Sequence, residues 1–197
     1  MVAVMIILAV LAMAVVYVIG IHNRLVTLKN RFLNAFAQID VQLKRRYDLI
    51  PNLIETAKGY MAHERETLEA VIAARNQAMA GLKAVSDDPS NTAAIGQLAG
   101  AEASLAGAIS KFSVVVEAYP ELKANENMMQ LSEELTTTEN KISFARQAFN
   151  DAVTAYNEYK QSFPPSFFAR TFGHTKDATL LEFEDKEVIK EAPKVSF

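Results

Sequence analysis

Histidine is the most versatile catalytic and metal-binding side chain in this sequence, which has no Cys and three His, at positions 22, 63 and 174. The zinc-protease helix motif needs a second His four residues after the first. His63 is followed by Glu64, but Thr67 occupies the position of the second His. Di-iron bundles need Glu-x-x-His pairs, and no Glu lies three residues before any of the three His. We therefore predict no metal site.

The sequence also lacks the other motifs by which catalytic sites are commonly recognised. It contains no glycine-rich phosphate loop and no nucleophile elbow, and the lack of Cys excludes thiolate catalysis and disulfides. We therefore predict no catalysis, no cofactor and no small-molecule substrate. A helical-bundle enzyme is the least favoured hypothesis. It would need a cleft with perturbed carboxylates, for which Asp40 and Glu55 are candidates, or a Ser–His–Asp arrangement from distant positions.

The densest cluster of charges is formed by Lys44, Arg45, Arg46 and Asp48. It predicts a binding surface for an acidic partner, with lipid headgroups as another ligand. On a continuous helix, however, Lys44 lies ~35 Å from Ile21, too far for direct headgroup contact. We favour a structural role over this binding surface, because the same residues flank apolar positions and could pair with carboxylates on neighbouring helices.

Composition limits the class of protein. The chain has 197 residues, of which 50% are hydrophobic and 22% charged, with 7 Gly and 6 Pro. These values are typical of one ordinary folded domain and not of a disordered chain. With a net charge of −3 and a pI of about 5.7, the chain lacks the extended basic surface that nucleic acid requires.

The stretch 2–21 contains no charged residue. As a helix it rises ~30 Å, about the thickness of the hydrocarbon core of a bilayer. A secretory signal peptide is the alternative, but no basic residue precedes the stretch and residues 17–19 make a poor cleavage site. We predict an uncleaved single-pass anchor. The basic residues Arg24, Lys29 and Arg31 follow it, so the positive-inside rule predicts a cytoplasmic C-terminal domain, the opposite side being the alternative.

Apolar residues recur every three or four positions from Leu25 to Leu82, which predicts one long helix. Pro51 must kink or break it, and we favour a kink because the apolar stripe stays in phase. A second helix is predicted from about Asn91 to Tyr119. Its small residues recur every four positions and favour close helix packing: Gly96, Gly100, Ser104 and Ala108.

The third predicted helix carries a heptad seam from Met128 to Phe163, which indicates coiled-coil packing. Pro164 and Pro165 end it. Residues 164–197 are interpreted as a partly flexible tail, in which Phe167, Phe168 and Phe172 form one amphipathic turn. Within this tail, an acidic run covers 182–187, and docking of Val195 and Phe197 in a groove is a less favoured hypothesis.

Several blocks of the sequence resemble the LemA family. They are the run from Ala35 to Leu53, the segment Tyr119–Ala124 and the closing Ala192–Phe197, with shorter matches at 58–64 and 138–142. Phe36 stands where many members have Trp. The resemblance implies a bacterial or archaeal membrane protein with one N-terminal span, an antiparallel helical bundle and no known enzyme activity.

The sequence thus predicts an all-α protein with a transmembrane anchor (1–21), an antiparallel helical bundle (22–163) and a tail (164–197). The bundle would have three long helices, or four if the chain breaks at Pro51. The leading hypothesis is a scaffold in the cytoplasmic membrane that forms homo-oligomers and organises the membrane or partner proteins. An adaptor or regulator of a membrane enzyme, such as a protease, is the alternative.

Overall fold

The computed structural model describes residues 1–182, and this part of the chain is all α-helical, as predicted. Four long helices are joined by short connections and accompanied by two short helices: α1 (Val2–Lys58), α2 (Arg65–Asp87), α3 (Thr92–Val116), α4 (Pro120–Lys123), α5 (Glu126–Gln161) and α6 (Pro165–Ala169). Residues 183–197, which include most of the acidic run and the predicted docking residues Val195 and Phe197, lie outside the described residues.

The first helix passes through Pro51 and ends seven residues later, at Lys58. The chain then reverses in the turn 59–64, so the predicted stripe from Leu25 to Leu82 belongs to two antiparallel helices. Met61 is fully buried in this turn, which explains why the apolar pattern stays in phase. The break that divides the first predicted helix therefore lies at the turn and not at Pro51.

Arg75 of α2 explains how α1 tolerates its proline. In a regular helix, the carbonyl of Tyr47 would accept a hydrogen bond from the N–H of residue 51. Pro51 has no N–H. The Nε of Arg75 donates to the Tyr47 carbonyl oxygen instead, at 2.9 Å. The carbonyl that proline leaves without its helical donor is thus satisfied by a neighbouring helix.

The four long helices form an up-down-up-down bundle. α5 runs antiparallel to α1, as shown by the contacts of Phe32 with Tyr156 and of Phe36 with Phe149 at ring-centroid distances of 5.3 and 5.9 Å. α2 and α3 pack closely where Gly81 meets Leu98. A Cβ on Gly81 would lie 3.2 Å from the Leu98 Cα, so this approach depends on glycine.

The predicted apolar stripes form the core. All the stripe positions of α1 between Leu25 and Ala57 are buried. The α5 seam is buried or half-buried from Met128 to Tyr159, but Phe163 lies beyond the end of the helix and is exposed. Residues 1–20 project from the bundle with exposed or half-exposed side chains, and Ile21 is the first buried residue of α1.

The described part of the predicted tail, 164–182, packs back on the bundle. Ala169 of α6 is buried, and after α6 the chain runs along α5 in the opposite direction and buries Ala178 and Leu181. Asn157 and Asn150 of α5 each pair with the backbone of one residue of this segment, donating to its carbonyl oxygen and accepting from its N–H. The partners are Ala178, at 2.8 and 2.9 Å, and Leu181, at 3.1 and 2.9 Å.

Candidate functional site

The predicted charge cluster is divided between the surface and the interior. Lys44, Arg45 and Asp48 are exposed. Lys44 pairs with Asp40 at 2.7 Å, and Arg45 lies 3.8 Å from Glu134 of α5. Around these residues is a shallow depression of about 440 Å³ that also includes the exposed side chain of Val41.

Arg46 lies inside the bundle and is only 3% exposed. Its guanidinium forms ion pairs with Glu102 of α3, which is 2% exposed, and with Glu139 of α5, at 2.7 Å. Its position follows from the helical period, because Arg46 is three residues after Leu43 and shares its buried face. A surface patch in this region therefore consists of Lys44, Arg45 and Asp48, and Arg46 is not part of it.

Tyr47 extends this buried ionic cluster, which joins α1, α3 and α5. Its hydroxyl donates a hydrogen bond to Glu102, and burial raises its pKa. Removing one partner from a buried ion pair leaves an unpaired charge, which typically costs about 3–5 kcal/mol. The cluster therefore fixes the relative positions of three helices. It lies beside a groove of about 500 Å³ between α3 and α5, where Glu139 is half-exposed.

The predicted small-residue face of α3 points away from the bundle. Gly96, Gly100 and Ser104 are exposed and Ala108 is half-buried. A Cβ added at either glycine would meet nothing within 4 Å. Within residues 1–182, no helix packs closely against these glycines. The close approach that glycine permits inside the bundle occurs at Gly81.

The outer face of α3 also carries no exposed charge from Thr92 to Ser110, and the exposed Lys111 follows directly. Between Thr92 and Ser110, the sequence contains one charged residue, Glu102, which is buried in the ionic cluster. Solvent-facing sides of bundle helices ordinarily carry many charged residues. An uncharged face rich in Gly, Ala and Ser can instead pack closely against another helix.

The three histidines do not come together in one site. His63 is exposed in the turn 59–64, whereas His22 and His174 lie at the opposite end of the bundle, against Phe172 and Tyr156 respectively. Among residues 1–182, no group of three or more His, Asp or Glu is arranged to hold a metal ion.

The two carboxylates considered for catalysis have structural partners. Asp40 accepts hydrogen bonds from Lys44 at 2.7 Å and from Ser86 at 2.9 Å, and the exposed Glu55 pairs with Lys58 at 2.7 Å. Along α1 the two residues are ~22 Å apart. They therefore do not share a cleft.

Comparison with known proteins supports the resemblance seen in the sequence. The sequence profile of the LemA family matches residues 35–197. Protein LemA of Metamycoplasma hominis is 27% identical over 139 residues, which cover 71% of this chain and 59% of that protein. The chain thus spans about three fifths of this relative's length. The match of the family profile to most of the chain, including all the helices of the bundle after the first part of α1, shows that the protein belongs to the LemA family.

Proposed function

We propose that this protein is a membrane-anchored scaffold that self-associates through the outer face of α3. The observation that carries this proposal is the absence of exposed charge on α3 between Thr92 and Ser110, together with its open glycines. Because Gly96 and Gly100 contact nothing across that face, a helix from a second copy has room to approach.

The N-terminal part of α1 supports the membrane anchor. The apolar stretch 2–21 is long enough to cross a bilayer, and its side chains are exposed apart from the half-exposed Val18 and the buried Ile21. Because this stretch and the body share one uninterrupted helix, copies in the same membrane are held in the same orientation. Confinement to a membrane raises their effective concentration, so modest helix–helix contacts are sufficient for association.

This geometry specifies the expected complex. α3 runs in the same direction as α1, and a two-fold axis along the membrane normal would pair two α3 helices in parallel. In such a symmetric interface, the same residue from both copies lies close to the axis. Gly100, in the middle of the face, would then lie near its counterpart.

Disulfide crosslinking tests this arrangement, because the chain has no native Cys. Gly100→Cys is expected to form crosslinked dimers in native membranes under mild oxidation. Ala148→Cys, an exposed small residue on α5, is the matched control and is expected to give little dimer. Equal dimer yields from the two variants would contradict the α3 interface.

A substitution gives an independent test. Gly100→Arg places a charge on the face and leaves the monomer's contacts intact, because the position is open. Its helix propensity even improves by up to about 1 kcal/mol. We expect the variant to keep its helical circular dichroism and to shift towards monomer in detergent. An unchanged oligomer mass would also contradict the proposal.

The adaptor function is a second candidate, favoured by the depression around Val41. An exposed apolar residue bordered by Lys44, Arg45 and Asp48 resembles an interface with an apolar centre and a polar rim. Charge reversal with Lys44→Glu and Arg45→Glu should then abolish co-purification with a membrane enzyme while helical content is unchanged. Retained co-purification would remove this candidate.

A further inference from the structure

A group of aromatic side chains lies at the end of the bundle from which residues 1–20 project. Phe163 and Phe167 are 88% and 77% exposed. Outside residues 1–20, these are the two most exposed large apolar side chains in the described part of the chain. Phe167 packs edge-on against Phe168, and Phe168 stacks on Phe172 at centroid distances of 5.3 and 6.2 Å.

The position of this group is fixed by its contact with α1. The ring of Phe172 meets the ring of His22 at a centroid distance of 4.9 Å. His22 directly follows Ile21, the first residue of α1 that the bundle buries. The aromatic group therefore lies at the level where α1 leaves the bundle.

Exposed basic residues surround the same end of the molecule. Arg24 and Lys29 lie on α1, and Arg170 and Lys176 follow α6. Asp88 and Asp177 line the same depression as Lys29 and Lys176, and Asp177 pairs with Lys160 at 2.6 Å. Aromatic side chains bordered by cations are typical of surfaces that lie in the headgroup layer of a membrane.

We propose that Phe163 and Phe167 insert into the interfacial layer of the membrane that α1 crosses, and so form a second membrane contact beside the span. The proposal rests on the membrane anchor of the proposed function and is independent of self-association through α3. Two contacts on one bilayer hold the bundle upright, because tilting it would withdraw the aromatic rings from the lipid or push charged residues into it.

Tryptophan fluorescence in the full-length protein tests this contact, since the chain has no native Trp. Phe167→Trp and Phe163→Trp are conservative changes at exposed positions. The matched control is Phe144→Trp, at a 74% exposed Phe on α5. A fourth variant, Val10→Trp, reports on the anchor itself. Each single-Trp protein is reconstituted in two kinds of vesicle, whose lipids carry bromine either near the headgroup end or near the methyl end of the acyl chains.

We expect blue-shifted emission and several-fold stronger bromine quenching for the Trp at 167 or 163 than for the Trp at 144. One outcome would overturn this inference and leave the anchor intact: the Trp at 10 is quenched, but the Trp at 163 and the Trp at 167 are quenched no more than the Trp at 144. Lack of quenching at 10 would overturn the anchor and this inference with it.

Discussion

At the scale of single residues, the missing N–H of Pro51 accounts for the position of Arg75. Arg75 is a charged residue within the apolar stripe of α2, and its side chain forms a hydrogen bond with the backbone of α1. By donating to the Tyr47 carbonyl, it satisfies an acceptor that the proline leaves unpaired. Proline and arginine are thus coupled across 24 residues of chain.

This coupling predicts a non-additive pair of substitutions. Arg75→Met should lower the free energy of unfolding by about 1–3 kcal/mol, because the Tyr47 carbonyl loses its donor. In a Pro51→Ala background the helix supplies its own N–H. Arg75→Met should then lower the free energy of unfolding by only a few tenths of the loss expected in the wild-type background. Urea unfolding followed by circular dichroism measures both values. An equal loss in the two backgrounds would show that Arg75 acts independently of Pro51.

His174 is a buried titratable residue at the end of the bundle from which residues 1–20 project. Its ring nitrogen Nδ1 lies 2.9 Å from the Tyr156 hydroxyl. Burial lowers its pKa below 6.5, and the positive charges of Lys29, His22 and Lys160 lower it further. The unfolded chain therefore binds a proton at a higher pH than the folded chain does.

We expect this difference to make stability depend on pH. The contribution of neutral His174 is complete above pH 6.5 and is lost as the pH falls towards the lower pKa of the folded state. Thermal unfolding of the wild type should therefore shift to lower temperature below pH 6.5. His174→Gln, which cannot take up a proton, should show a smaller shift. Parallel pH profiles for the two proteins would exclude His174 as the cause.

Sequence reasoning placed Arg46 correctly beside core positions but left its role open between surface and interior. The apolar period of α1 identifies its buried face, but it does not show which carboxylates pair with Arg46. Glu102 and Glu139 are 56 and 93 residues away. Pairings over such separations depend on how the helices are arranged, which no local pattern in one sequence contains.

At the scale of elements, two asparagines on α5 hold the segment that follows α6, because the distance between them matches the distance between their backbone partners. Asn150 and Asn157 are seven residues apart, or ~10.5 Å along the helix. Their partners Leu181 and Ala178 are three residues apart, or ~10 Å along an extended chain. Each side-chain amide can therefore pair with the backbone N–H and C=O of one residue of the segment without distorting either element.

Removing these amides should release the segment. Asn150→Ala with Asn157→Ala deletes four hydrogen bonds, each contributing about 1 kcal/mol, and hydrogen exchange at 178–181 should accelerate tenfold or more. The control Asn140→Ala changes an exposed asparagine of the same helix. If exchange in the double variant matches that in the control, apolar packing alone holds the segment.

Periodicity predicted the buried faces of these elements better than their ends. The α5 seam is correct up to Tyr159 because a continuous helix keeps its phase. The turn 59–64 was missed because Tyr60 and Met61 continue the apolar pattern, and only Gly59 marks the change. The packing of 164–182 was also missed, since its asparagine partners lie on another element and do not alter the local pattern.

At the scale of the whole molecule, the basic residues after the span predict which side of the membrane holds the bundle. We expect a cytoplasmic body, following the positive-inside rule. A membrane-impermeant maleimide should label Val2→Cys in intact spheroplasts and should label Ala148→Cys only after lysis. Val2 is the first residue of the proposed span, at the end far from the bundle, whereas Ala148 lies in the bundle. The reverse pattern would place the bundle outside the cytoplasm.

The continuity of α1 makes the bilayer and the bundle one mechanical unit. From Ile21 to Lys58 the helix extends ~55 Å beyond the proposed span, with no loop to act as a joint. Spans held by a single contact adjust their tilt to the thickness of the surrounding lipid, and a change of about 10° would sweep the far turn through roughly 10 Å. With the proposed second contact at Phe163 and Phe167 resisting that tilt, the turn 59–64 would be held at a constant height above the membrane.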